Sequence, residues 1–149
     1  MNEVDKFKDS LLYEIQKEFW NERGRGARYR LTRIGISFLE DIIKEENKKT
    51  EFIKKWLVEN DFCKKIEYVE KDISIDINIE GCCLRNIRNN FISSGMEILA
   101  CPLANIFMHL EELKTNFSPE LLPIKNDEST CKITLAKALI SNNIEEVEK

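Results

Sequence analysis

The sequence predicts an α+β domain, an antiparallel sheet with amphipathic helices packed on one side of it. Apolar residues recur at steps of three and four through the first sixty positions, which is a helical period. Ile73, Ile75, Ile77 and Ile79 then alternate with Ser74, Asp76 and Asn78, which is the period of a strand with one wet face. The 149 residues contain no repeat, no low-complexity stretch and no proline-rich or glycine-rich linker, so a single domain is expected over residues 1–149.

Val4, Phe7, Leu11, Ile15 and Phe19 share one face of a first helix over about 3–20, which ends before Gly24 and Gly26. A second helix is predicted from Leu31 to Glu46, with Leu31, Ile34, Phe38, Leu39, Ile42 and Ile43 on its apolar face. Thr50 is a suitable N-cap for a third helix that carries Phe52, Ile53, Trp56 and Leu57. These three make a helical first half, 3–60, and the mixed second half runs over 64–138.

Ile66 and Tyr68 alternate with charged residues and pair antiparallel with the isoleucine strand through Glu70-Lys71-Asp72. Leu84, Ile87 and Phe91 mark a short helix that stops at Ser93-Ser94-Gly95, followed by a brief strand at Glu97–Ala100. Pro102 suits the first turn of the next helix, which turns Leu103, Ile106, Phe107, Leu110 and Leu113 inward. Leu121–Lys125 and Cys131–Leu135 flank the polar Asn126-Asp127-Glu128-Ser129 as a second hairpin, and an acidic tail follows over 141–149.

Hydrophobic residues make up 42% and charged residues 34%, a globular mixture rather than a disordered or membrane-spanning one. No apolar run approaches the roughly 20 residues that cross a bilayer, and the acidic amino terminus lacks the features of a secretory signal. The expected location is the cytoplasm, where five cysteines, an odd number, are not a disulfide framework. They are core fillers, metal ligands or redox thiols.

No Cys-x-x-Cys pair announces a structural zinc site. Cys82 and Cys83 stand at a strand-to-helix junction, Cys101 at a helix start and Cys131 at a strand start, and loops at sheet ends gather in space. Cys101 has a physical reason to be reactive: at the positive end of a helix dipole its thiolate is stabilised, which favours metal binding or oxidation. The alternative is a thiol that caps the helix from within the core. His109, the single histidine, lies eight residues on, roughly 12 Å along the helix, too far to share a metal with Cys101. It fits the edge of the apolar helix face.

The segment Arg23–Arg33 holds five arginines and no acidic residue. Arg28 and Arg30, beside Gly24 and Gly26, are candidates to grip phosphate on a nucleotide or a DNA backbone, although the spacing is not that of a nucleotide-binding loop. A solvated loop whose arginines pair with surface carboxylates is the plainer reading. The net charge of −4 argues against a dedicated nucleic-acid binder.

Cys101-Pro102-Leu103-Ala104-Asn105-Ile106-Phe107 and, some thirty residues later, Cys131-Lys-Ile-Thr-Leu135 resemble the helix start and closing cysteine strand of the 4-vinyl reductase (hydrocarbon-binding) domain family. Tyr29-Arg-Leu-Thr-Arg-Ile-Gly35 is similar to that family's early helix, and the resemblance spans about residues 29–135. Asn105 stands where the family has glycine, and Glu128-Ser129-Thr130 replaces its Gly-Asp. The resemblance implies a non-enzymatic sensor or regulatory domain that binds a small apolar ligand or a metal ion, zinc being the candidate, through Cys101 and Cys131. Cys82 and Cys83 are added here as further ligands, and Leu103 and Phe107 as ligand-facing positions of an apolar pocket. An apolar helix face left exposed would suit a homodimer. Two other readings stay open: a DNA-binding regulator using Arg28 and Arg30, and a thiol enzyme using Cys101.

Overall fold

A computed structural model describes residues 2–24, 31–42, 50–98, 100–127 and 129–138. Three helices open the chain: α1 (Glu3–Arg23), α2 (Ile36–Ile42) and α3 (Thr50–Glu59). A hairpin of β1 (Lys65–Glu70) and β2 (Ser74–Glu80) leads to α4 (Arg85–Ser93) and α5 (Pro102–Thr115). Two short strands, β3 (Glu120–Leu121) and β4 (Lys125–Asn126), precede β5 (Thr130–Ala136). The sheet is antiparallel in the order β1-β2-β5-β3, with β4 also paired to β5, so the expected α+β class and both hairpins are present.

The isoleucine alternation does what its period demands. Ile75, Ile77 and Ile79 are at most 1% exposed and lie opposite Leu135, Ile133 and Cys131 on β5. Leu103, Ile106, Phe107 and Leu110 from α5, with Leu39, Ile53 and Leu57 from the first helices, complete the core over this face. Tyr68 closes its edge, its ring centroid 5.9 Å from that of Phe107. Asp76, Asn78 and Lys132 alternate onto the wetter face.

Four expectations need correction. The second helix starts at Ile36 rather than Leu31, because 31–35 form turns closed by Ile34 N donating to Leu31 O and Ile36 N to Arg33 O. Asn105 holds these turns: its Nδ2 donates to Leu31 O and Ile34 O, both at 2.9 Å. Gly35, at φ +95°, lets the turn lie on α5, since a Cβ there would come within 2.9 Å of Pro102 Cβ. The predicted continuation to Glu46 runs beyond the described residues. Ile73 lies in the β1–β2 turn, 65% exposed, rather than on the buried face. The strand expected at Glu97–Ala100 is absent at the described positions, where Ala100 N instead donates to Gln16 Oε1 at 2.9 Å. Finally, α1 follows its predicted span and ends at Gly24, but its apolar face is open: Val4, Phe7 and Ile15 are each more than half exposed. The helix attaches instead through Gln16 and Tyr13, whose ring stands edge-on to Phe91 at 5.0 Å and whose hydroxyl meets Ser94 Oγ at 3.0 Å. No described helix is long and apolar enough to cross a membrane.

Gly35 and Gly24 both have positive φ, but nothing lies within 4 Å of a Cβ at Gly24. Gly35→Ala is expected to lower unfolding stability by about 2 kcal/mol or more, from backbone strain plus the clash, and Gly24→Ala by about 1 kcal/mol, from strain alone. Urea denaturation of both variants measures the difference, and equal losses would show that the α5 contact is not tight.

Candidate functional site

The sheet's end, the start of α5 and the middle of α4 converge on a cluster of thiols. Register places Cys131 opposite Ile79 on β2 and opposite Asn126 on β4, so its side chain faces the core at the sheet's end. Cys82 follows directly from β2 through Gly81 and is buried, with its Sγ accepting from Leu84 N at 3.4 Å. Cys101 is the N-cap of α5, its Sγ accepting from Ala104 N at 3.5 Å, and Pro102 occupies the first turn as expected. These three thiols lie near enough to influence one another's ionisation.

Arg88 is the residue among them that the sequence reading passed over. It is 2% exposed, and its Nη1 donates to Cys131 Sγ at 2.6 Å. Cys131 in turn donates to Asn126 Oδ1 at 3.1 Å. The chain Arg88–Cys131–Asn126 therefore runs through a thiol that both accepts and donates, the pattern of a neutral S–H. Burial pushes the Cys131 thiol up despite the guanidinium beside it, which agrees with that pattern. Among the described residues Arg88 Nε and Nη2 have no acceptor.

A signal for Arg88 was present. Positions 84, 87, 88 and 91 form the i, i+3, i+4, i+7 stripe of a buried helix face, and three of them are apolar. A charge at the fourth is a buried charge waiting for a partner. Asn126 had no comparable signal, because its role follows from the register of a hairpin whose turn residues all look like solvent.

A cavity of about 100 Å³ opens beside the cluster, lined by Ile92, Met96, Glu97, Ile98, Cys101, Leu121, Pro123, Ile124 and Asn126. A second, about 90 Å³, lies between α1 and α4, is apolar apart from Gln16 and touches no cysteine.

Cys101 does not behave as its helix position suggests. Burial pushes its thiol up to about 12, and the nearby Cys82 and Cys131 add to the effect, outweighing the amide hydrogens of the α5 terminus. It is the capping thiol, not a thiolate. Cys83 stands apart from the cavity and exposed, and a hydrogen bond with Cys82 lowers its thiol while raising that of Cys82. Cys63 is buried next to Cys82 and pushed up to about 11. Among the described residues no three Cys, His, Asp or Glu side chains converge closely enough to hold a metal ion, so Cys82, Cys83, Cys101 and Cys131 are neighbours without being a ligand set.

Leu103 and Phe107 are 2% and 1% exposed and belong to the core rather than to the cavity wall. His109 sits at the edge of the α5 core face as expected, with its Nδ1 buried and without a partner among the described residues. Arg28 and Arg30 lie outside the described residues, while Arg23 and Arg33 approach Glu22 and Glu112 at 3.8 and 3.9 Å.

Alkylation of the reduced protein by iodoacetamide at pH 8 is expected to strike Cys83 first, because its lowered pKa gives it the largest thiolate fraction and it is exposed. Cys63 and Cys101, held near 11 and 12, should lag by at least tenfold. Peptide mapping with time reads the order, and Cys83→Ser should remove the fast phase. Modification of Cys101 as fast as Cys83 would show that the α5 terminus prevails over burial.

No curated protein matches the chain. A family model does, over residues 9–140, from the middle of α1 to beyond β5, and its description is "Putative rubredoxin C-terminal domain". With that span the chain belongs to this family.

Proposed function

We propose that this is a non-enzymatic small-molecule-binding domain of regulatory type, whose site is the cavity between the end of α4, the start of α5 and the β3–β4 segment. The observation that carries the reading is the cavity itself: a space of mixed lining, apolar side chains interleaved with Glu97, Cys101 and Asn126, with Cys131 and Arg88 behind. Binding sites combine an apolar lining with a few placed polar groups in this way. The likeness of Cys101–Phe107 and Cys131–Leu135 to the hydrocarbon-binding family supports it. The small volume limits the ligand to few atoms.

The family description points to rubredoxin-type metal chemistry, and a rubredoxin-type iron needs four thiolates in a tetrahedron. The thiols here do not fit it. Cys131 already has a guanidinium 2.6 Å from its Sγ, a fixed cation where a metal would have to approach, and no three donors converge among the described residues. Nor does the cluster offer a nucleophile: Cys101 and Cys131 are both raised, and the lowered thiol, Cys83, is outside the cavity. The same donor geometry argues against zinc at these cysteines.

Xenon is a suitable probe of a small apolar cavity. Methyl NMR of the reduced protein under xenon pressure is expected to shift Ile92, Ile98 and Ile124, and Leu121→Trp, which fills the space, should abolish the shifts. No response at these methyls would overturn the reading. Elemental analysis after dialysis against iron or zinc should find no stoichiometric metal, and one equivalent lost on Cys131→Ser would restore the metal reading.

A further inference from the structure

A surface helix turns its polar side to water and its apolar side to the core. In α1 the order is reversed, and no residue of the helix is buried. The line that faces the body, Asp9, Tyr13, Gln16 and Trp20, is half-buried, and at roughly 100° per residue it lies opposite the stripe begun by Val4, Phe7, Leu11 and Ile15. Val4, Phe7 and Ile15 are more than half exposed, and Leu11, Leu12 and Phe19 more than a third. Leu12 and Ile15 also reach the small apolar cavity between α1 and α4, where the exposed Ile34 extends the patch. At roughly 150–200 Å² for each fully exposed side chain, the six α1 residues leave roughly 500 Å² of apolar surface in one stripe. On soluble proteins a patch of this size marks an interaction surface.

The stripe fits a second copy of itself. Two of them together remove roughly 1,000 Å² from water, which is what the smallest specific interfaces bury. Their charges also match. Within the stripe lie Lys8, Glu18 and, at its end, Glu22; the ion pairs of α1 use Lys6 with Glu3 and Arg23 with Glu22, leaving the exposed Lys8 and Glu18 without one among the described residues. When two α1 helices run antiparallel with their centre at Tyr13, each Lys8 comes level with Glu18 of the other copy, Leu11 with Ile15 and Phe7 with Phe19. A parallel pair sets Lys8 against Lys8 and Glu18 against Glu18, which repel. A lipid surface fits less well: helices that lie on membranes are rich in Lys and Arg, whereas α1 has six acidic and four basic residues, with Glu18 and Glu22 inside the apolar stripe.

We propose that the exposed face of α1 is the interface of a homodimer, in which the α1 helices of two copies pack antiparallel about a two-fold axis level with Tyr13. Such a contact is isologous: each pairing occurs twice, and the assembly closes at two copies. It is independent of the ligand cavity, whose lining contains no residue of α1.

The test is sedimentation equilibrium of the reduced full chain over a series of concentrations. The mass is expected to rise from 17.5 kDa towards twice that value. Phe7→Glu should hold it at the monomer mass and, because Phe7 is exposed, leave the monomer's melting curve unchanged. Lys8→Glu and Glu18→Lys should each weaken association about tenfold, since two attractive pairs become repulsive. The double variant Lys8→Glu/Glu18→Lys, and an equimolar mixture of the two single variants, should recover it. A monomer at every concentration, or a dimer that Phe7→Glu leaves intact, overturns the interface, and a monomer that co-sediments with phosphatidylcholine vesicles assigns the face to lipid instead. Weakening in both single variants without recovery in the mixture overturns the antiparallel arrangement.

Discussion

Everything at the site depends on the pairing of β2 with β5. Seven residues of each strand are matched, Ser74 with Ala136 through Glu80 with Thr130, and three successive inward pairs fill the core: Ile75 with Leu135, Ile77 with Ile133, Ile79 with Cys131. Side chains alternate along a strand, so a slip by one residue would move every one of these to the wet face and bring Asp76, Asn78 and Lys132 inside. The register is therefore fixed by a large hydrophobic penalty rather than by the turn. Its last inward pair is Ile79 with Cys131, and this is why a thiol is buried at the sheet's end, within reach of α4 and the start of α5.

At that end the energetics change from packing to electrostatics. A fully buried aliphatic side chain gains about 1.5–3 kcal/mol, and the core contains many of them, so it can hold one unfavourable group in place. Arg88 is that group. Its contact with a neutral thiol is a charge-assisted hydrogen bond, which satisfies one donor but leaves the charge unbalanced. Replacing such a cation by an apolar residue often stabilises a protein, so a folded chain that retains it keeps it for something other than stability.

How much of this could be read from the sequence follows from the range of the interactions involved. Periodicity is local, and it located α3, β1, β2, α4, α5 and β5 to within a few residues. Predictions failed where a distant partner decides: Asn105 and Pro102 on α5 convert residues 31–35 from helix to turn, across more than sixty positions. The α1 stripe was legible, but whether it is covered depends on packing that no local pattern encodes. The cysteines divide in the same manner. Their approach at the sheet's end was foreseeable from their places at element junctions, whereas their ionisation was not, because burial is a property of the assembled fold.

Cys101 shows how the magnitudes decide. A helix terminus stabilises a nearby anion by about 0.3–1 kcal/mol at the surface and up to about 2 kcal/mol when partly buried. Transfer of an ionised group from water to an apolar interior costs considerably more. A thiol that caps a helix from inside a core, flanked by two other thiols, must therefore remain protonated, and the position that suggested reactivity in the sequence becomes a structural one in the fold. The guanidinium of Arg88 is subject to the same desolvation but cannot lose its proton, because its pKa lies far above any physiological pH. The thiol escapes the cost by staying neutral and the arginine cannot, so its charge stays in the interior against the Cys131 sulfur.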